Sequence, residues 1–147
     1  MSIKRPSWDQ YFMQIAVMTA QRGTCDRLKV GAVLVKDREI KATGYNGAPK
    51  GIADCNEEGH LMENGHCVRT VHAEQNIMLF SDRSEREGAT LYVTATPCFI
   101  CAKIIANSGI KEVVVQEIYP SLVHHEKMEE YFTKANVTLR VLNPVID

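Results

Sequence analysis

No stretch of this 147-residue chain is apolar for long enough to span a bilayer. The opening stretch, Met1 to Trp8, holds Lys4, Arg5 and Pro6 but lacks the apolar core of a secretory signal. Both absences lead us to expect a cytoplasmic protein. Excess charge is missing as well: 17 Lys and Arg stand against 18 Asp and Glu, a formal net charge of -1. A chain so balanced carries no broad footprint for polymeric nucleic acid or an anionic membrane, and neither is expected as a partner. Internal repeats and low-complexity tracts are also lacking. With 45% hydrophobic and 24% charged residues, the chain reads as one globular domain over 1–147, long enough to bury a core.

Cysteine is scarce and odd in number: Cys25, Cys55, Cys67, Cys98 and Cys101. A reducing compartment disfavours disulfides, so metal ligation or catalysis competes with buried, inert thiols as their role.

The coarse pattern alternates. Ser7 caps a helix to about Arg22, with Trp8, Tyr11, Phe12, Ile15, Ala16 and Met18 as its apolar face and Gly23 at its end. Val30–Lys36 and Glu39–Gly44 read as a hairpin turning at Asp37-Arg38. A turn-rich stretch, Gly44 to Gly51, and a long polar loop, Ile52 to Arg69, follow. Helices are expected from near His72 through Phe80, over Cys98–Ser108 behind Pro97, and over Ser121–Lys134. Strands are expected over Ala89–Thr94, Glu112–Gln116 (buried on both faces) and Val137–Leu142. This order predicts a three-layer α-β-α domain with a central mixed five-stranded sheet whose later strands are parallel.

Two short motifs carry chemistry: His72-Ala73-Glu74 and Pro97-Cys98-Phe99-Ile100-Cys101, each expected to open a helix. A helix start offers free N–H groups and a partial positive charge, which favours the thiolate that binds metal. One imidazole and two thiolates make three ligands. Zinc takes four, so a position stays open for water, the mark of a catalytic site. Residues two apart on a helix do not share a face, so Glu74 is placed beside that water as the proton carrier and not among the ligands.

His-x-Glu followed by Pro-Cys-x-x-Cys is a signature of zinc nucleobase deaminases. The chain resembles the deoxycytidylate deaminase family along nearly its whole length. The resemblance lies in Thr24-Cys25-Asp26-Arg27, Val30-Gly31-Ala32-Val33, Gly44-Tyr45-Asn46-Gly47-Ala48-Pro49, Gly59-His60 with Gly65-His66-Cys67, Thr70 to Glu74, and Leu91 to Thr94 leading to Pro97. It implies conversion of dCMP and water to dUMP and ammonia, with zinc on His72, Cys98 and Cys101 and proton transfer by Glu74. It further implies that the Ala73 N–H grips the pyrimidine carbonyl and that Asn46 contacts the sugar hydroxyl. Arg27 and Tyr119 become candidates for the phosphate, against a solvated charge and a core ring. Asn46 also has a plain alternative as a turn residue of positive φ.

The same resemblance suggests a second, structural zinc. Its expected ligands are Cys25, Cys55, His60 and His66, with Cys67 buried or standing in as a substitute. Homohexameric assembly is implied too, as is control by dCTP (with Mg2+) and dTTP, with the Gly44–Gly51 turn as the contact. The alternatives are another zinc deaminase of a cytosine nucleoside, tRNA base, pterin or riboflavin-type precursor, a non-catalytic zinc-binding module, and a C-x-x-C redox protein.

Overall fold

In the computed structural model, which describes residues 4–142, Ser7 opens α1 (Trp8–Ala20) with a capping box. Its Oγ accepts from the Gln10 amide at 3.1 Å, and the Gln10 side chain accepts from the Ser7 amide at 2.9 Å. The single-domain expectation over 1–147 reaches residues outside the described range. The helix buries Phe12, Met13, Ala16 and Ala20, whereas Trp8, Tyr11 and Met18 of the expected face are exposed. The reason lies at Gly31, where an added Cβ would stand 2.0 Å from the Ala16 carbonyl. A helix lying that close must present small residues at the contact, Ala16 and Ala20, while Phe12 and Met13 fill the core beside it.

The hairpin forms from β1 (Gly31–Lys36) and β2 (Glu39–Tyr45), antiparallel, with Lys36 opposite Glu39. Asp37 and Arg38 both take positive φ, 54° and 61°, matching the twist of a two-residue turn. Three further strands, β5 (Thr90–Ala95), β6 (Glu112–Glu117) and β7 (Thr138–Val141), complete the sheet in the order β2-β1-β5-β6-β7. β5 runs antiparallel to β1 and parallel to β6, which is parallel to β7. This is the mixed five-stranded sheet expected from the sequence.

Alternation along the strands splits the core in two. Val33, Val35, Tyr92 and Val114 meet α1 on one face. Ala32, Leu34, Leu91, Val93, Val113 and Val115 face the other way, toward α3 (Ala73–Phe80), α5 (Phe99–Ala106) and α6 (Leu122–Lys134). Successive crossovers of one hand, β5 to β6 to β7, place α5 and α6 on the same side. The result is three layers. The starts of α3 and α5 lie against each other above the sheet.

The expected loop over 52–69 has structure of its own. It contains α2 (Cys55–Glu58) and a ribbon of β3 (Met62–Glu63) and β4 (His66–Cys67). A short α4 (Arg83–Arg86) follows α3 and was also unforeseen. No helix among the described residues is long and apolar enough to cross a membrane.

Candidate active site

His72 is the N-cap of α3, and its amide donates to Gln75 Oε1 at 2.8 Å. Cys98 is the N-cap of α5, and Cys101 lies in that helix's first turn. Two helix starts therefore converge. His72 Nδ1 stands 3.2 Å from Cys101 Sγ and 3.6 Å from Cys98 Sγ. Ligand atoms around a tetrahedral zinc would be about 3.5–3.8 Å apart, given the usual Zn–S and Zn–N lengths. The three donors lie within 4.8 Å of one another, so spacing and chemistry both fit one zinc ion with a fourth position open.

The electrostatics agree. A hydrogen bond from Cys101, helped by His72 and the Cys101 amide, holds the Cys98 thiol well below its ordinary range. The same bond and burial push Cys101 upward. His72 is raised, chiefly by its bond with Cys98. Glu74 follows in the first turn of α3, only 6% exposed, and burial pushes its carboxyl up to about 7. A carboxyl so placed can exist in both protonation states near neutrality.

Ala73 is the first helical residue of α3, a position at which the amide has no partner within the helix. Asn46 is buried, and its φ is not positive, which removes the turn-residue alternative. Its side chain accepts from the Val30 amide at 2.8 Å and donates to the Leu28 carbonyl at 2.6 Å. One lone pair and one N–H of that amide are left for a ligand. An isolated bridge between Gly47 and Val71 ties this strand end to the residue before His72. Tyr119 is 42% exposed and is not the core ring of the alternative reading; its amide donates to Thr96 Oγ1 at 3.2 Å, beside the Pro97-Cys98 segment. Arg27 is exposed and rests on Met62 of β3, 3.8 Å from its sulfur.

A second cluster gathers Cys25, Cys55, His60 and Cys67 within 4.8 Å. Cys25 Sγ is 3.5 Å from His60 Nδ1, and Cys55 Sγ is 3.6 Å from Cys67 Sγ. This corrects the expected ligand set: Cys67 takes the place given to His66. Neighbouring strand residues point to opposite faces, and on β4 it is Cys67 that turns inward while His66 is exposed. Burial raises the Cys55 thiol. Burial also opposes ionisation of Cys67, but hydrogen bonds from the Arg69 and Leu61 backbones, Cys55 and His60 together draw that thiol down to about 6. His60 turns its other nitrogen to Asp26 Oδ1 at 3.0 Å, the arrangement that orients a metal-binding imidazole. Asp26, together with Thr96, His124 and His125 near the first cluster, escaped the sequence reading. Adjacency to Cys25 was the available signal for the first, and a His-His pair in an expected first helical turn for the last two.

Among the described residues, His72, Cys98 and Cys101 could hold a metal ion, with the buried Glu74 two residues from His72. Residues 6–117 match the family described as "Cytidine and deoxycytidylate deaminase zinc-binding region". The chain is 48% identical to the deoxycytidylate deaminase of Mycobacterium phage D29 over 76% of this chain and 96% of that protein. It is 34% identical to the human deoxycytidylate deaminase over 93% of this chain and 80% of that one. Among solved structures, the dCMP deaminase of cyanophage S-TIM5 in complex with dCMP and dUMP superposes with a TM-score of 0.76 at 27% identity, covering 95% of this chain and 100% of its own. The chain belongs to the cytidine and deoxycytidylate deaminase family.

Proposed function

We propose that the protein deaminates free dCMP, converting dCMP and water to dUMP and ammonia and so supplying dUMP for thymidylate synthesis. The observation that carries this reading is the meeting of His72, Cys98 and Cys101 beside the buried Glu74, in a chain similar over most of its length to deoxycytidylate deaminases. Zinc held by those three residues would supply a Lewis acid that turns water into a nucleophile near neutral pH. Glu74 takes a proton from the attacking water and delivers it to N3 of the pyrimidine as C4 is attacked, then carries the proton of the new C4 hydroxyl to the amine, which leaves as ammonia while C4 becomes a carbonyl. The Ala73 amide holds the pyrimidine carbonyl, and Asn46 offers its free lone pair and N–H to the sugar hydroxyl. Arg27 and Tyr119 serve the phosphate, Tyr119 from the loop beside Thr96 and Arg27 from the loop before β1.

The second cluster holds a structural zinc on Cys25, Cys55, His60 and Cys67. Its closed set of four donors and the Asp26 contact to His60 support this. We further propose one cytoplasmic domain that assembles as a homo-oligomer, a hexamer by family likeness, with dCTP (and Mg2+) and dTTP as effectors. Leu79 and Phe80, 71% and 66% exposed, are apolar surface suited to such assembly.

The test is to incubate zinc-loaded protein with dCMP, CMP, deoxycytidine and dCTP, with and without dCTP plus Mg2+ as effector. Selective formation of dUMP that is lost in Glu74→Gln, with zinc retained, is expected. General acid–base groups contribute about 10²–10⁴-fold. Turnover of another substrate in preference to dCMP, or full activity in Glu74→Gln, would overturn the assignment. Light scattering measures the assembly, and a monomeric mass would remove that part.

A further inference from the structure

Two neighbouring histidines in the first turns of α6 grip the chain that leads into Cys98. His124 Nε2 lies 2.9 Å from the Pro97 carbonyl. A carbonyl only accepts, so His124 carries its proton on Nε2. His125 is buried, with Nδ1 2.8 Å from Thr96 Oγ1. Thr96 is buried too; it accepts from the Tyr119 amide, and its own amide donates to the Glu117 carbonyl at 3.2 Å. The Phe99 ring stands edge-on to His124 and Tyr131, at 6.1 and 5.9 Å. From 96 to 99, every residue except Cys98 has its side chain or carbonyl held by α6.

That exception gives the arrangement its meaning. The Pro97 carbonyl and the Cys98 amide share one rigid peptide plane. Holding the oxygen restrains the plane, and together with the Cys98 carbonyl held on the helix side it limits the direction in which the Cys98 side chain leaves the backbone. As the N-cap of α5, Cys98 has its carbonyl tied into the helix through the Ala102 amide at 2.8 Å, but its amide side lies outside the helix. On that side α6 restrains the Pro97 carbonyl and the Thr96 hydroxyl, and Glu117 of β6 holds the Thr96 amide.

We infer that His124 and His125 are positioning residues: through Pro97 and Thr96 they aim the Cys98 thiol at the point where the His72 and Cys101 donors meet. This rests on the reading of that trio as a zinc centre. Neither histidine touches the ligand atoms, so their effect is on geometry and metal retention.

The experiment compares zinc release to a chelator from wild-type holoenzyme and from His124→Leu, His124→Gln, Thr96→Val and Thr96→Ser. Cysteine alkylation during release, located by peptide mass spectrometry, shows which centre opens. Loss of an outer partner typically costs about 10- to 100-fold in metal affinity. That loosening is expected at Cys98 and Cys101 in His124→Leu and Thr96→Val, with Cys25, Cys55 and Cys67 as protected as before. His124→Gln keeps an N–H donor and Thr96→Ser keeps the hydroxyl, so both should recover most of the retention. Unchanged protection of Cys98, equal loosening of both centres, or no recovery in the conservative variants would overturn the positioning role. Wild-type protein whose Cys98 gains no protection from zinc would instead overturn the reading of the centre itself.

Discussion

Asp9 joins the first helix to the β7 edge of the sheet, and Asp9→Asn isolates what that junction contributes. Oδ1 of Asp9 accepts from Tyr92 Oη at 2.6 Å and from Arg140 Nη2 at 2.9 Å, and Oδ2 accepts from Arg140 Nη1 at 2.8 Å. An asparagine keeps one oxygen for Tyr92 but turns an amine toward Arg140, so the charge-assisted fork is lost. Hydrogen bonds to charged groups are worth about 1.5–3 kcal/mol each. The side chains of Arg140 and Asp9 are 38% and 29% exposed, and Arg140 keeps Glu112 at 3.0 Å. Solvent screening and the remaining partner reduce the expected loss to about 1–2 kcal/mol. For a chain of this size that lowers Tm by about 2–8 °C.

The loss should depend on pH in a definite direction. The Arg140 hydrogen bonds hold the Asp9 carboxyl below its ordinary value of 3.8, against the opposing effect of burial. A depressed carboxyl stabilises the fold fully above the unfolded value and loses that contribution as pH falls through the folded one. The difference between wild type and Asp9→Asn should therefore be constant at neutral pH and close below pH 3.8. Thermal denaturation followed by circular dichroism across the acid range measures it. A variant within about 0.5 kcal/mol of wild type at neutral pH, the scatter of ordinary surface changes, would refute the magnitude. A difference that persists undiminished into acid would refute its ionic origin.

The two candidates for the fourth position of the second cluster separate cleanly. Cys67→Ser should lower bound zinc from two per chain to one, whereas His66→Ala, altering an exposed residue, should leave it at two by elemental analysis. Gly44→Ala should place a Cβ 2.6 Å from the Ala73 carbonyl, forcing β2 away from the start of α3. Overpacking of this kind costs about 1–3 kcal/mol, and kcat should fall with it; a variant of wild-type stability and kcat would show that the contact yields freely.

Where one local cause acts, the sequence was readable. Asp37-Arg38 between two apolar runs marks the hairpin, and Val113-Val114-Val115 marks a strand covered on both sides, each residue fully buried. The two short helices were legible and went unread, since Asp54 with Glu57 and Asp82 with Glu85 are capping boxes three residues apart. The burial face of α1 was legible in part: Phe12 and Ala16 of the expected face are buried, whereas Trp8, Tyr11 and Met18 are exposed, because the close approach of Ala16 to Gly31 sets the helix's seating. The cluster of His72, Cys98 and Cys101 could be named because each motif is continuous in sequence. The second cluster could be named only in part. Choosing between His66 and Cys67 requires the register of a two-residue ribbon, which no periodicity of that length can give.

The bridge between Gly47 and Val71 has a wider consequence. Its two hydrogen bonds, 3.1 and 2.8 Å, clasp the feet of everything from 48 to 70. A segment whose ends are already joined outside itself can change length with little further entropic penalty, since closure grows only logarithmically with the number of residues. The bridge thus separates the length of 48–70 from the placing of β2 and His72, while Cys55, His60 and Cys67 within the segment meet Cys25 as a rivet from outside. A shorter insert without those donors could be grafted between the same feet, leaving the sheet and the His72, Cys98 and Cys101 cluster as the scaffold.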